Sequence, residues 1–74
     1  MAKDEMTPVR CKIILALANN GMIVNRAAKA IYMNHSTLLY HLNMIKAITG
    51  KDPSNFYDLI DLVRMVREVL TDGL

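Results

Sequence analysis

Apolar positions along the 74-residue chain recur at helical spacing and nowhere alternate strictly, which predicts helices and no strands. A first helix is expected over 8–19, with Ile13, Ile14, Leu17 and Ala18 on its inner side. Thr7 and Pro8 supply its N-cap and N1 proline, and Asn19-Asn20-Gly21 closes it through a left-handed glycine. Met22, Ile23 and Val24 make an apolar link, at least one of which should fill the gap between the first two helices. Asn25 is the expected N-cap of a short second helix over 25–32, small-faced at Ala27, Ala28 and Ala30, with Ile31 its one large inward residue. Tyr32, Met33 and Asn34 connect it to a third helix over 35–49, capped by Asn34, stopped by Gly50, and apolar at Leu38, Leu42 and Ile45. Asp52-Pro53 repeats the cap-then-proline start and predicts a fourth helix over 53–70, with an inner stripe of Phe56, Leu59, Val63, Val66 and Leu70. Residues 1–6 are polar enough to be expected loose.

The fold class is therefore all-α, a single four-helix domain at 7–74. A short helix, a three-residue turn and a longer capped helix have the layout of a helix-turn-helix. Leu62, Met65 and Val69 widen the fourth helix's stripe beyond what one small core needs. One reading makes them a dimer interface that buries this face against a twofold copy. The other has them flank the core, and both stand.

Composition supports a leftover apolar face, since 53% of residues are hydrophobic although Trp is absent and Phe occurs once. The lone Cys11 forms no internal disulfide, and with two imidazoles it falls short of a four-ligand zinc set, so no metal is expected. No apolar run approaches the ~20 residues of a membrane span, and residues 1–5 lack the apolar segment of a secretion signal. A cytoplasmic protein is expected. Cys11, His35 and His41 fall on different helices or faces without an orienting acid, so neither an enzyme nor a cofactor or small-molecule site is predicted.

Charge changes the picture more. From Met6 to Lys51 the chain holds Arg10, Lys12, Arg26, Lys29, Lys46 and Lys51 and no acid. From Asp52 onward Asp52, Asp58, Asp61, Glu68 and Asp72 outnumber Arg64 and Arg67, giving +6 and −3 for the two parts. A positive field of that kind suits a polyanion.

At the second to fourth helices the residues form a familiar pattern: Ala27-Ala28 and Ile31, then Thr37, Leu38, Tyr40 and Leu42, then Thr49-Gly50 before Asp52-Pro53. The pattern resembles the C-terminal helix-turn-helix of PucR-type bacterial transcription regulators, a branch similar to the Fis-like DNA-binding domains, over about residues 13–70. The departures fall on the outward side: His35 and His41 stand where that family tends to have Arg, Ser36 where it has Asn, and Leu39, Asn43 and Met44 where Arg or Lys is frequent.

The resemblance implies binding of double-stranded DNA, with the third helix in the major groove. Asn34, His35, Ser36, Thr37, Leu39, Tyr40, Asn43 and Lys46, with Arg26 and Lys29, are then the expected contacts. Ser36 or Asn43 would meet base edges, His35 would donate to a guanine acceptor or a phosphate, Leu39 would touch a thymine methyl, and Tyr40 would reach the backbone. Each has a plain alternative as an ordinary surface or packing residue, and packing is favoured for His41. Without the arginines that pair bidentately with guanine, weak discrimination per monomer is expected, and a homodimer through the fourth helix would supply a second half-site. The rival function is a helix-turn-helix turned to protein interaction or dimerisation.

Overall fold

The computed structural model describes residues 6–72, with side chains as far as Val69. Residues 1–5 of the expected loose segment, and Leu70 of the expected inner stripe, lie outside that description. Four helices follow in order: α1 (Pro8–Asn19), α2 (Val24–Ala30), α3 (His35–Thr49) and α4 (Phe56–Asp72). Among the described residues there is no strand.

α1 is the post on which the others lean, packing against α2, α3 and α4 alike. Cys11, Ile13, Ile14, Ala16 and Leu17 are all buried, so apolar side chains leave it in several directions. Thr7 Oγ1 accepts the Arg10 amide at 3.3 Å and Pro8 occupies the first turn. Gly21 is left-handed at φ 65°, and the Met22 amide returns to the Leu17 carbonyl at 2.9 Å. Ala18, expected inside, is exposed, and Ala16 takes its place. Met6 corrects the loose-segment expectation at its end: it is buried, and its carbonyl accepts the Cys11 thiol at 3.5 Å.

α2 begins one residue before the expected cap. Ile23 stands at the N-cap with no side-chain bond, and its carbonyl accepts the Ala27 amide at 3.0 Å. Asn25 is thus inside the helix, and its side chain bonds elsewhere. Ala27 and Ala28 are the only buried residues of α2, small enough for close approach to α1, while Met22, Val24, Ile31 and Met33 pack partly against the core from either end.

The helix also stops earlier than expected, at Ala30. Tyr32 adopts φ 54°, the Tyr32 amide reaches the Lys29 carbonyl at 3.2 Å, and the Met33 amide reaches the Ala28 carbonyl at 2.8 Å. That pair of bonds is a Schellman closure, a position glycine usually fills. A residue with a Cβ loses roughly 1–2 kcal/mol there.

α3 carries Leu38, Leu42 and Ile45 into the core, with Asn34 accepting the Ser36 amide at 2.8 Å and Gly50 left-handed at its end. α4 opens later than expected. Asp52 Oδ1 accepts the Ser54 amide at 2.8 Å and its carbonyl accepts the Asn55 amide at 2.9 Å, so Asp52-Pro53-Ser54-Asn55 closes a turn. Asn55 is the true cap, with Oδ1 on the Asp58 amide at 3.1 Å and its carbonyl on the Leu59 amide at 2.8 Å. Phe56 therefore sits in the first turn, 58% exposed, and does not belong to the inner stripe.

That stripe is Leu59, Leu62 and Val66, with Val63, Met65 and Val69 packed partly against it. Leu62, expected as part of a dimer interface with Met65 and Val69, has no accessible surface at all, because the buried face of α4 is rotated toward it. Among the described side chains, the large apolar ones that α4 leaves exposed are Phe56, Tyr57 and Ile60.

Two outcomes follow. Leu62→Ala lowers stability by about 2–5 kcal/mol, as removal of a fully buried leucine does, read from urea unfolding followed by far-ultraviolet circular dichroism; a loss below about 0.5 kcal/mol, the scale of surface substitutions, contradicts this placement. The second concerns acid. The Ser54 amide holds the Asp52 carboxyl below its usual range, burial opposes this, and Lys46 at 3.6 Å reinforces it. A lowered folded value contributes stability above the unfolded value and loses it as pH falls through the folded one. Asp52→Ala is therefore less stable than the parent at neutral pH, and the gap closes on acidification below the ordinary carboxylate range. A gap that widens in acid would contradict the assignment.

Candidate nucleic-acid interface

α2, its closure and α3 place their polar side chains on the outside. Arg26 and Lys29 are exposed on α2, and Asn34, His35, Ser36, Thr37, Leu39, Tyr40 and Asn43 are exposed along the first two turns and more of α3. This outward set needs no distortion of the buried one, because Leu38, Leu42 and Ile45 occupy the opposite side of the same helix.

One bond ties the two helices together on that outer side. His35 Nδ1 lies 2.6 Å from Asn25 Oδ1, linking the first turn of α2 to the first residue of α3. Asn25 is consequently not a helix cap but a brace between helices. An amide oxygen only accepts, so Nδ1 carries the proton. A neutral His35 then offers Nε2 as an acceptor; only its imidazolium form donates to a guanine or a phosphate. This narrows the role expected of His35. Asn34 is also partly committed, since its Oδ1 holds the Ser36 amide.

His41 is half-buried. Its ring meets the Tyr40 ring edge-to-face with centroids 5.4 Å apart, and its Nδ1 is buried without a partner among the described residues. Tyr40 itself is exposed. Met44, expected outward with Leu39, is half-buried.

Two of the acids after Lys51 pair with Lys51 itself or with a cation before it. Lys46 Nζ stands 3.6 Å from Asp52, and Lys51 Nζ 3.1 Å from Asp61. Both pairs are substantially exposed and so are worth about 0–1 kcal/mol; Lys46 gives up little by turning to a phosphate. Cys11 is no part of this surface. Burial pushes its thiol up, partly offset by a backbone hydrogen bond, which leaves it an unreactive packing group. Among the described residues no group of three or more His, Cys, Asp or Glu is placed to hold a metal ion, and no helix is long and apolar enough to cross a membrane.

Sequence reasoning placed the exposed face of α3 and missed two features. The Asn25–His35 bond joins residues on different helices, and no local signal marks it. The left-handed Tyr32 was hidden because tyrosine is not a residue that marks such a conformation.

A family model described as the PucR C-terminal helix-turn-helix domain matches residues 12–67, from the middle of α1 through most of α4. The chain belongs to that family. Neither a curated protein nor a solved structure matches it.

The brace is open to direct measurement. In a double-mutant cycle of Asn25→Ala and His35→Ala, thermal or urea unfolding gives a coupling of about 0.5–1 kcal/mol, the lower part of the hydrogen-bond range because both groups are exposed. Additive losses would show that the bond contributes nothing to holding α2 against α3.

Proposed function

We propose, on the premise of this family membership, that the chain binds double-stranded DNA and places α3 in the major groove as the DNA-binding part of a transcription regulator. The observation that carries the reading is the outward face of α2 and α3: Arg26, Lys29, His35, Ser36, Leu39, Tyr40 and Asn43 are exposed in a stretch from Met6 to Lys51 that contains no acid. Arg26, Lys29 and Lys46 neutralise phosphates, and the first turn of α3 meets base edges.

Ser36 and Asn43 act as hydrogen-bonding readers, and Leu39 as an apolar contact for a thymine methyl. Neutral His35, held by Asn25, presents an acceptor that suits the amino groups of cytosine or adenine. None of these makes the bidentate arginine contact with guanine that is worth ~1–3 kcal/mol of discrimination. Sequence preference per monomer is accordingly small, and most of the affinity is electrostatic.

One observation favours a second reading, protein interaction. Ala18, Gly21, Met22, Phe56, Leu59, Ile60 and Val63 line an open apolar groove of about 330 Å³ between the end of α1 and the start of α4. On this reading the groove, and not a face centred on the buried Leu62, offers apolar surface for dimerisation.

Fluorescence anisotropy with a labelled duplex separates the two. If Arg26, Lys29 and Lys46 each engage a phosphate, log affinity falls against log salt with a slope of about −2.7, or about 40-fold between about 50 and 200 mM. Absence of binding to any duplex at low salt removes the DNA reading. Sedimentation that shows self-association without DNA in the same preparation favours the second.

A further inference from the structure

Three helices end in left-handed residues, and their chemistry differs. Gly21 and Gly50 close α1 and α3, where no Cβ is present to be strained. Among the described residues two with a Cβ are also left-handed, Met22 at φ 65° and Tyr32 at φ 54°. Met22 is half-buried and packs against the core, so contacts within the fold offset its strain. Tyr32 has no such compensation. It is 98% exposed, and its side chain makes no hydrogen bond or ring contact among the described residues.

A glycine would close α2 through the same Ala28 and Lys29 carbonyls with less strain. The tyrosine side chain at this point is therefore not explained by folding. Its position gives a use for it. Tyr32 stands in the turn between Lys29 and His35, both exposed, one on the last turn of α2 and the other opening α3. A polyanion that spans the α2 cations and the first turn of α3 passes over this turn.

We propose that the Tyr32 hydroxyl donates a hydrogen bond to a backbone phosphate of the bound duplex, making the strained turn a neutral anchor beside Lys29. This rests on the DNA-binding reading above. A phenol is a good donor to a charged phosphate oxygen. Because it carries no charge, its contact releases no counterion, so it adds affinity without adding to the salt dependence. A phosphate contact also carries no base information.

The test compares Tyr32→Phe, Tyr32→Gly and Lys29→Ala with the parent on two duplexes of unrelated sequence, by anisotropy across a salt series and by thermal unfolding. Tyr32→Phe keeps the parent's melting temperature and binds both duplexes about 3- to 10-fold more weakly, as loss of one hydrogen bond predicts, with an unchanged salt slope. Tyr32→Gly melts a few degrees higher, since it relieves the left-handed strain, yet binds at least as weakly as Tyr32→Phe. Lys29→Ala reduces the salt slope by about one.

Parent-like binding by Tyr32→Phe, with Lys29→Ala weakened, overturns the anchor and leaves the DNA reading standing. Failure of the parent to bind either duplex overturns both. A loss confined to one duplex overturns the phosphate assignment in favour of base contact. A lower melting temperature for Tyr32→Gly shows that the fold itself holds the ring, and overturns the premise.

Discussion

Every helix of this domain depends on the burial of α1. A chain of this length buries only about 60% of the surface its unfolded form exposes, and has no large aromatic core to draw on. One helix that is apolar in several directions solves the problem. With Ile13, Ile14 and Leu17 buried, α1 meets three helices at once, so each partner needs to supply only two or three buried side chains. Ala27 and Ala28 are sufficient for α2, because their small size brings its backbone close to α1. The consequence is that α2 contributes little area of its own. Met22 before it, Val24 in its first turn, and Ile31 and Met33 after it add to its attachment.

That arrangement explains why the closures around α2 matter more than its seven residues suggest. A helix this short is not stable by propensity. The Schellman bonds to Ala28 and Lys29 end it at Ala30 and turn the chain, Met33 packs back, and Asn34 starts α3 at once. The Asn25–His35 bond spans the resulting angle on the outside, where the core cannot act. Inner packing and outer brace together define where the first turn of α3 points. Three of the acids, meanwhile, are used at the far end of α3: Asp52 and Asp58, with Asn55, build the entry to α4, and Asp52 and Asp61 hold Lys46 and Lys51.

The parts of this fold that were legible in the sequence are those set by adjacent residues. Thr7-Pro8 at the start of α1, Asn34 at the start of α3 and Gly50 at its end are local signals, and each helix end lies where they put it. Asp52-Pro53 carries the same local signal as Thr7-Pro8 but closes a turn, because Asn55 lies three residues on and its side chain reaches the Asp58 amide. From that shift came the misplacement of Phe56, and with it the rotation of the predicted inner face from Leu62 toward Val63. Both spacings fit a helical stripe equally well, and only contact with α1 decides between them. The outward face of α3 was legible because its buried side is unambiguous. The Asn25–His35 brace and the left-handed Tyr32 were not, since one needs two helices already in place and the other uses a residue that gives no conformational warning.

The same brace limits what α3 can read. A histidine free to choose its tautomer offers either a donor or an acceptor to a base; one whose Nδ1 proton is committed to Asn25 offers, when neutral, only an acceptor. Fixing the ring lowers the entropy lost on binding, but removes half of its chemical vocabulary. Asn34 is constrained in the same way, because the oxygen that caps α3 is not available to a base. Of the polar groups at the start of α3, the Ser36 and Thr37 hydroxyls are the ones left free to serve as donor or acceptor. A recognition helix whose first turn is stabilised by its own side chains is well placed but sparsely equipped. On the DNA-binding reading, discrimination must therefore come from these two hydroxyls, from Asn43 and Leu39 further along the helix, from the shape of the duplex, or from a second site.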